Sequence, residues 1–343
     1  MLALLAAVLL ASLLPARGGV ARDFDVLTAL LVALLFFLHG ARLSREAVVA
    51  GFTHWRLHVT VLSSTFVLMP LLGLALRPLL EPLVTAELYP GVLFLCVLPS
   101  TVQSSIAFVS IARGNVAAAV CSASASNLLG MFLTPLLAGL VLAHQKVGGD
   151  VSLHAAEKVA MQLLLPFVAG QLAQRRVGGW VARHKGLTKF SDQATIVLIV
   201  YGAFSAAAIQ GLWQHVPPPL LAGLLGSACV LLGLTLLITT GGARRLGFAK
   251  ADEITIVFCG SKKTLASGLP MAKVLFAAPL VGTMVLPLMI FHQLQLMVCA
   301  LLAWRYAAQS QAVAEPSAQA AGDGGMPADA APAPPLPALE KAR

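Results

Sequence analysis

Ile254-Thr-Ile-Val-Phe-Cys259-Gly-Ser261-Lys262-Lys263-Thr264-Leu-Ala-Ser267-Gly268-Leu-Pro270 decides the reading of this chain, because two adjacent lysines stand in the middle of an apolar span. Charge at bilayer depth is costly and, where it persists, is generally functional. Gly260, Ser261 and Thr264 flank the lysines, which is the composition of a helix interrupted near the bilayer midplane to build a binding site. The pattern points to transport.

The rest of the sequence agrees. Of 343 residues, 58% are hydrophobic and 11% charged, and the mean hydropathy is +0.87, a balance that excludes a soluble two-domain protein. Apolar runs able to cross ~30 Å of hydrocarbon fall near 24–42, 59–80, 90–112, 115–143, 155–174, 194–213, 219–242, 254–276 and 280–304. A shorter run at 2–14 is read as the first span; Ala11-Ser-Leu-Leu-Pro15-Ala16 has the small residues of a leader cleavage region, yet no positive segment precedes it. The expected fold class is therefore all-α and polytopic, with ten transmembrane helices.

Charge sets the expected topology. Arg42, Arg45, Arg56, Arg113, Arg175, Arg176, Arg183, Lys185, Lys189, Arg244, Arg245, Lys250 and Arg305 collect on one side, against Arg17, Arg22, Arg77, Lys146 and Lys158 on the other. The positive-inside rule then puts both termini in the cytoplasm of a multi-pass inner (plasma) membrane protein. The net charge of +9 does not imply nucleic acid, since the basic residues are scattered over short loops without accompanying aromatics. The five cysteines all lie in apolar runs without metal-ligand spacing, so they read as packing residues. From residue 309 to 343 the chain turns to Ala, Pro, Gly and Gln without apolar periodicity, which predicts a disordered cytoplasmic tail.

Ten spans divide into five and five, 1–148 and 149–308, with the second set inverted relative to the first because an odd number of crossings reverses the chain. The fourth span of each half carries the best internal match. Phe94-Leu-Cys96-Val-Leu-Pro99-Ser100-Thr101-Val-Gln103-Ser104 lies against Val257-Phe-Cys259-Gly260-Ser261-Lys262-Lys263-Thr264-Leu-Ala-Ser267, with cysteine, threonine and serine in register. Pro99 interrupts the helical ladder, and Ser100-Thr-Val-Gln103 reads as a capping box opening a second half-helix. An ordinary proline kink, with Ser and Thr bonded back to carbonyls, is the alternative. In the second copy Gly260 and Ser261 are expected to serve as break and N-cap before Lys262. Each half-helix would aim a positive dipole end at the midplane.

Leu35-Phe-Phe-Leu-His39-Gly-Ala-Arg-Leu43, Ala112-Arg-Gly-Asn115 and above all Gly260-Ser-Lys-Lys-Thr-Leu-Ala266 resemble the bile acid:sodium symporter superfamily, in particular its bacterial SBF-like branch, related to the seventh member of solute carrier family 10. The resemblance covers about residues 1–306. It implies two inverted five-helix repeats, a panel of helices 1, 2, 6 and 7, and a core in which broken helices 4 and 9 cross at the site. Sodium-coupled members hold their ions with a glutamate and glutamine in helix 9, a Ser-Asn pair in helix 4 and hydroxyls in helix 5. Here the matching positions are Val257 and Ser261, then Ser105 and Ile106, then Ala119 and Ala123.

No acidic residue falls at midplane depth, so sodium would rest on neutral oxygens alone, beside a like charge. No cofactor or metal is expected; a lysine in place of the coupling cation is the cheaper arrangement, and proton exchange by a buried lysine is the other form of coupling. Adjacent helical positions point about 100° apart, so one lysine can face a substrate while the other bonds carbonyls. The expected substrate site is Lys262, Lys263, Ser261, Thr264, Ser100, Thr101, Gln103, Ser104 and Ser105, with Pro99 and Gly260 as helix breaks. Ser122, Ser124, Ser126, Asn127 and His292 are candidate cavity-lining residues, although small-residue packing explains the serines equally well. His39 reads more readily as an interhelical hydrogen-bond partner. The expected partner is a small organic anion within a lipid bilayer. A non-transporting membrane regulator keeping the same fold is the rival reading; an enzyme lacks a nucleophile-base pair.

Overall fold

The computed structural model describes residues 2–42, 54–142, 153–209 and 217–322, all of them helical or in short connections among the described residues. The helices are α1 Leu2–Leu13, α2 Gly18–Arg42, α3 Trp55–Ala75, α4 Arg77–Val97, α5 Gln103–Ile111, α6 Val116–Leu142, α7 Leu153–Arg183, α8 Lys185–Ile209, α9 Pro218–Arg245, α10 Lys250–Gly260, α11 Leu265–Leu275 and α12 Ala278–Gly322. Five of them, α3, α4, α6, α9 and α12, are long and apolar enough to cross a membrane by length and composition. The protein is thus a helical polytopic membrane protein. Large apolar side chains stand exposed around it, among them Leu13, Leu172, Leu237 and Trp304, as a lipid-facing surface requires.

The sequence explains where helices stop. Thr85 has φ 69°, so α4 is two helical pieces: the first sends Leu80 and Val84 into the core, and the second is buried almost throughout from Leu88 to Val97. Pro218 and Pro219 open α9, where a missing N–H costs nothing. Arg244 and Arg245 close α9, while Asp252 and Glu253 lie in the first turn of α10, each charge matching the local dipole. Buried Glu253 accepts from Lys250, Arg244 and Tyr306 Oη, tying the ends of α9, α10 and α12.

Two groups of helices result. The helices α1, α2, α7 and α8 pack on one another, with α2 against α7 the most extensive pairing. Gly40 and Gly170 make that pairing close, since a Cβ on either would strike the main chain of the other helix at Phe167 and Phe37. The second group, α3 to α6 and α9 to α12, holds both short-helix pairs, α4/α5 and α10/α11. The first group touches the second through α6, α11 and α12. The boundary expected at 148/149 lies outside the described residues, as do residues 323–343 of the tail expected at 309–343; residues 309–322 of that tail are helical, the last turns of α12.

Candidate functional site

Two helical spans are interrupted, at 98–102 and 261–264, and the two breaks bond directly to each other. The Thr264 N–H donates to Pro99 O at 3.0 Å. Ser100 Oγ donates to Cys259 O at 2.6 Å, and Lys263 Nζ donates to Cys96 O at 2.7 Å. In the internal register, Ser100 matches Lys263 and Cys96 matches Cys259, so each break sends the equivalent side chain to the equivalent carbonyl of the other. Ser105 Oγ adds a bond to Phe258 O at 3.2 Å.

A broken helix at membrane depth must find partners for every freed backbone group, and here neighbouring helices supply them. On the first break, Ser126 Oγ accepts from the Ser100 N–H, Asn127 Nδ2 donates to Ser100 O, and Thr134 Oγ1 donates to Val97 O. On the second, Gln295 does both tasks for Lys263: its Oε1 accepts from the Lys263 N–H at 2.9 Å and its Nε2 donates to Lys263 O at 2.8 Å. His292 Nδ1 lies 2.8 Å from Gln295 Nε2 and 3.5 Å from Lys263 O. Gly130 receives the Pro99 ring and Gly268 the Leu98 side chain; a Cβ on either would come within 2.6 and 2.7 Å of those atoms.

The two lysines differ sharply. Both are fully buried. Lys263 Nζ has three acceptors at 2.7 Å each, Thr65 O, Cys96 O and Leu98 O, which satisfies the donor capacity of an ammonium. Thr65 O is free for it because α3 contains a π-helical turn, Ser64–Leu68. There the Met69 N–H bonds Ser64 O instead, and Pro70, next in line, has no N–H to give. Among the described residues Lys262 Nζ has no hydrogen-bond partner, and it sits 3.8 Å from the Phe108 ring centroid and 5.9 Å from that of Phe258. Cation–π attraction offsets part of its desolvation, on the order of 2 kcal/mol, against a penalty of several kcal/mol for a buried ion.

Several expectations change in detail. Ser100 and Gln103 form no capping box: α5 begins after Val102 with no side-chain cap, and Ser100 is committed to Cys259. Ser261 is not the N-cap of the second half-helix but closes α10, its Oγ returning to Val257 O; α11 starts after Thr264, also uncapped. The lysines therefore lie in the non-helical link, not in a helical turn. Gln103 is exposed, Ser124 is half-buried, and Ser122 bonds His58 Nδ1 at 2.7 Å. Thr101 Oγ1 and Ser104 Oγ are buried without partners. Cys229 is exposed, unlike buried Cys96, Cys259 and Cys299. The side chain of His39 lies outside the described residues. Val257, Ala119 and Ala123 are buried apolar side chains at the positions where the resemblance implies ion ligands.

Sequence reasoning missed Gln295, Phe108 and the Thr65 carbonyl. Pro70 inside an apolar run was the one available sign of the last. It also missed what Ala112-Arg-Gly-Asn115 does: Arg113 takes φ 58°, Asn115 caps α6 through Ala118 N–H, and its amide donates to Asp252, locking the end of α5 to the start of α10.

Comparison with known proteins agrees with this geometry. Residues 1–308 match the SBF-like CPA transporter family. An uncharacterized protein of Pseudomonas aeruginosa is 61% identical over 319 residues, covering 93% of this chain and 96% of its own length. YfeH of Escherichia coli, named as a symporter, is 55% identical over 310 residues, 90% and 93% of the two chains. Sodium/bile acid cotransporter 7 of Xenopus tropicalis is 28% identical over 298 residues, 83% and 84%. With crossed helix breaks, lipid-facing apolar helices and a match over nearly all of the helical region, the chain belongs to the SBF-like CPA transporter family and is a membrane transporter-family protein, not an enzyme.

Proposed function

We propose that this protein is a secondary transporter of a small organic anion, working by alternating access between two inverted five-helix repeats. The repeats are α1 to α6, with α4/α5 as one broken span, and α7 to α12, with α10/α11 as the other. The reciprocal bonds Ser100 to Cys259 O and Lys263 to Cys96 O support this pairing. So do the equivalent supports from Asn127 and Gln295 on the fifth helix of each half.

The observation that carries the reading is the crossing itself: two buried ammonium groups and two uncapped helix N-termini, with Lys263 already supplying the positive charge a coupling ion would bring. Sodium is therefore not required. The helices α1, α2, α7 and α8 act as the panel. They meet the core at α6, α11 and α12, with Lys273 of α11 paired to Asp25 of α2 at 3.0 Å, whereas α5 and α10 pack extensively only on core helices. With both termini cytoplasmic and the chain in the inner membrane, the Asp25–Lys273 end is external and the site opens inward.

Uptake into proteoliposomes of a panel of anions, bile acids included, tests this reading. Transport undiminished when choline replaces sodium is expected. A many-fold loss in choline, restored saturably by sodium, would refute the sodium-free scheme, and no uptake of any anion would refute transport. A reporter fused to the C-terminus should be active only in its cytoplasmic form.

A further inference from the structure

The structure assigns the two lysines to different tasks: Lys262 is the anchor for the oxyanion of the substrate, flanked by Thr101 and Ser104, and Lys263 is a fixed structural cation. This rests on the transport reading for its biological meaning but not for its chemistry. An ammonium can donate three hydrogen bonds. Lys263 spends all of its donors on Thr65, Cys96 and Leu98 carbonyls and has none left for a ligand. Lys262 spends none.

Lys262 is not alone in lacking partners. Thr101 Oγ1 and Ser104 Oγ are the other buried, unbonded polar atoms of the crossing. Thr101 lies in the first break, and Ser104 lies one turn before Phe108 on the same face of α5, the Phe108 whose ring touches the Lys262 ammonium. The N-termini of α5 and α11, with no side-chain cap, flank the same two breaks. The ammonium can only donate and the two hydroxyls can donate as well, and among the described residues none of the three has a hydrogen-bond partner. Unspent donors gathered around a positive charge select an acceptor with several lone pairs and negative charge, which is an oxyanion: a carboxylate, phosphate or sulfonate. Phe108 and Phe258 beside Lys262 give that oxyanion an aromatic or apolar body to carry.

Removing an unpartnered buried charge should stabilise the protein, and removing a saturated one should not. The experiment is thermal unfolding of the full chain in detergent micelles at constant ionic strength in choline salts, with benzoate, phenyl phosphate and benzenesulfonate as probes and benzamide as the neutral control. Without probe, Lys262→Met is expected to unfold about 3 °C above the unsubstituted protein and Lys263→Met below it. At least one oxyanion should raise the unsubstituted midpoint by about 2–4 °C, benzamide should not, and Lys262→Met should abolish the rise. A Thr101→Ala/Ser104→Ala double variant should reduce it.

A Lys262→Met midpoint lowered as far as that of Lys263→Met would overturn the assignment by making Lys262 structural. So would an oxyanion response that survives Lys262→Met, an equal response to benzamide, or no response to any of the three oxyanions. A Lys262-dependent response together with no uptake into proteoliposomes would sink transport and leave the anchor standing.

Discussion

The two helix breaks share a plan and differ in charge. At 98–102 the chain is held by small neutral groups: a proline, the Ser100 hydroxyl, and Ser126, Asn127 and Thr134 from α6. At 261–264 a single glutamine from α12 does the work of Ser126 and Asn127 together, and two lysines replace Pro99 and Ser100 in register. The crossing is therefore built by backbone pairing common to both halves, and the charge is an addition made by one half. Geometry and chemistry at this site are separable, and they can be separated by mutation.

The largest expected effect comes from comparing the register-equivalent pair. Lys263→Met leaves three buried carbonyls without a donor and should cost about 3–5 kcal/mol, the range for breaking a buried charged contact. Ser100→Ala orphans one carbonyl and should cost about 1–3 kcal/mol. Equal losses in denaturation midpoint would mean that the two breaks are equivalent and that the charge adds nothing to the crossing.

A smaller contrast lies in the supports. Gln295→Ala removes both bonds to the Lys263 backbone and is expected to cost about twice as much as Asn127→Ala, on a scale of about 1 kcal/mol per bond. Hydrogen exchange at the Lys263 amide, faster in Gln295→Ala, localises the effect; unchanged exchange would show that Gln295 is not its partner. The smallest effect on stability belongs to Asp25→Asn. The Asp25 side chain is 59% exposed, so losing its pair with Lys273 should change unfolding by less than about 1 kcal/mol. It should nevertheless expose the cavity that Thr28 and Ser205 line beside it. Labelling of a cysteine placed at Ser205, applied from the side that the proposed topology makes external and increased in Asp25→Asn, checks this, and equal labelling would dismiss the pair as a latch.

Much of this was legible in the chain. Lys262 and Lys263 within an apolar run announced the second break, Pro99 the first, and Cys96, Thr101 and Ser104 against Cys259, Thr264 and Ser267 the internal match. The caps were misread because a hydroxyl near a helix start has two calls on it, the local N–H and a distant carbonyl, and only the fold shows that Cys259 O lies closer to need for Ser100. Gln295 and Thr65 were invisible for a similar reason. Their bonds to Lys263 span helices far apart in sequence, and a backbone carbonyl carries no residue signature at all. Which lysine had partners depended wholly on those bonds.

The Lys263 ammonium has a consequence for energetics that a bound ion would not have. It is covalently part of the protein, so under the proposed transport cycle it cannot dissociate on the far side as an ion would, and here it donates to three carbonyls at once. Under that scheme the empty protein would need no bound ion to re-orient. Under the proposed scheme the same attachment forgoes the sodium gradient as a source of work, so accumulation would draw on exchange for another anion or on a co-transported proton, because an interior-negative potential opposes anion entry by about 2.3 kcal/mol per charge at 100 mV.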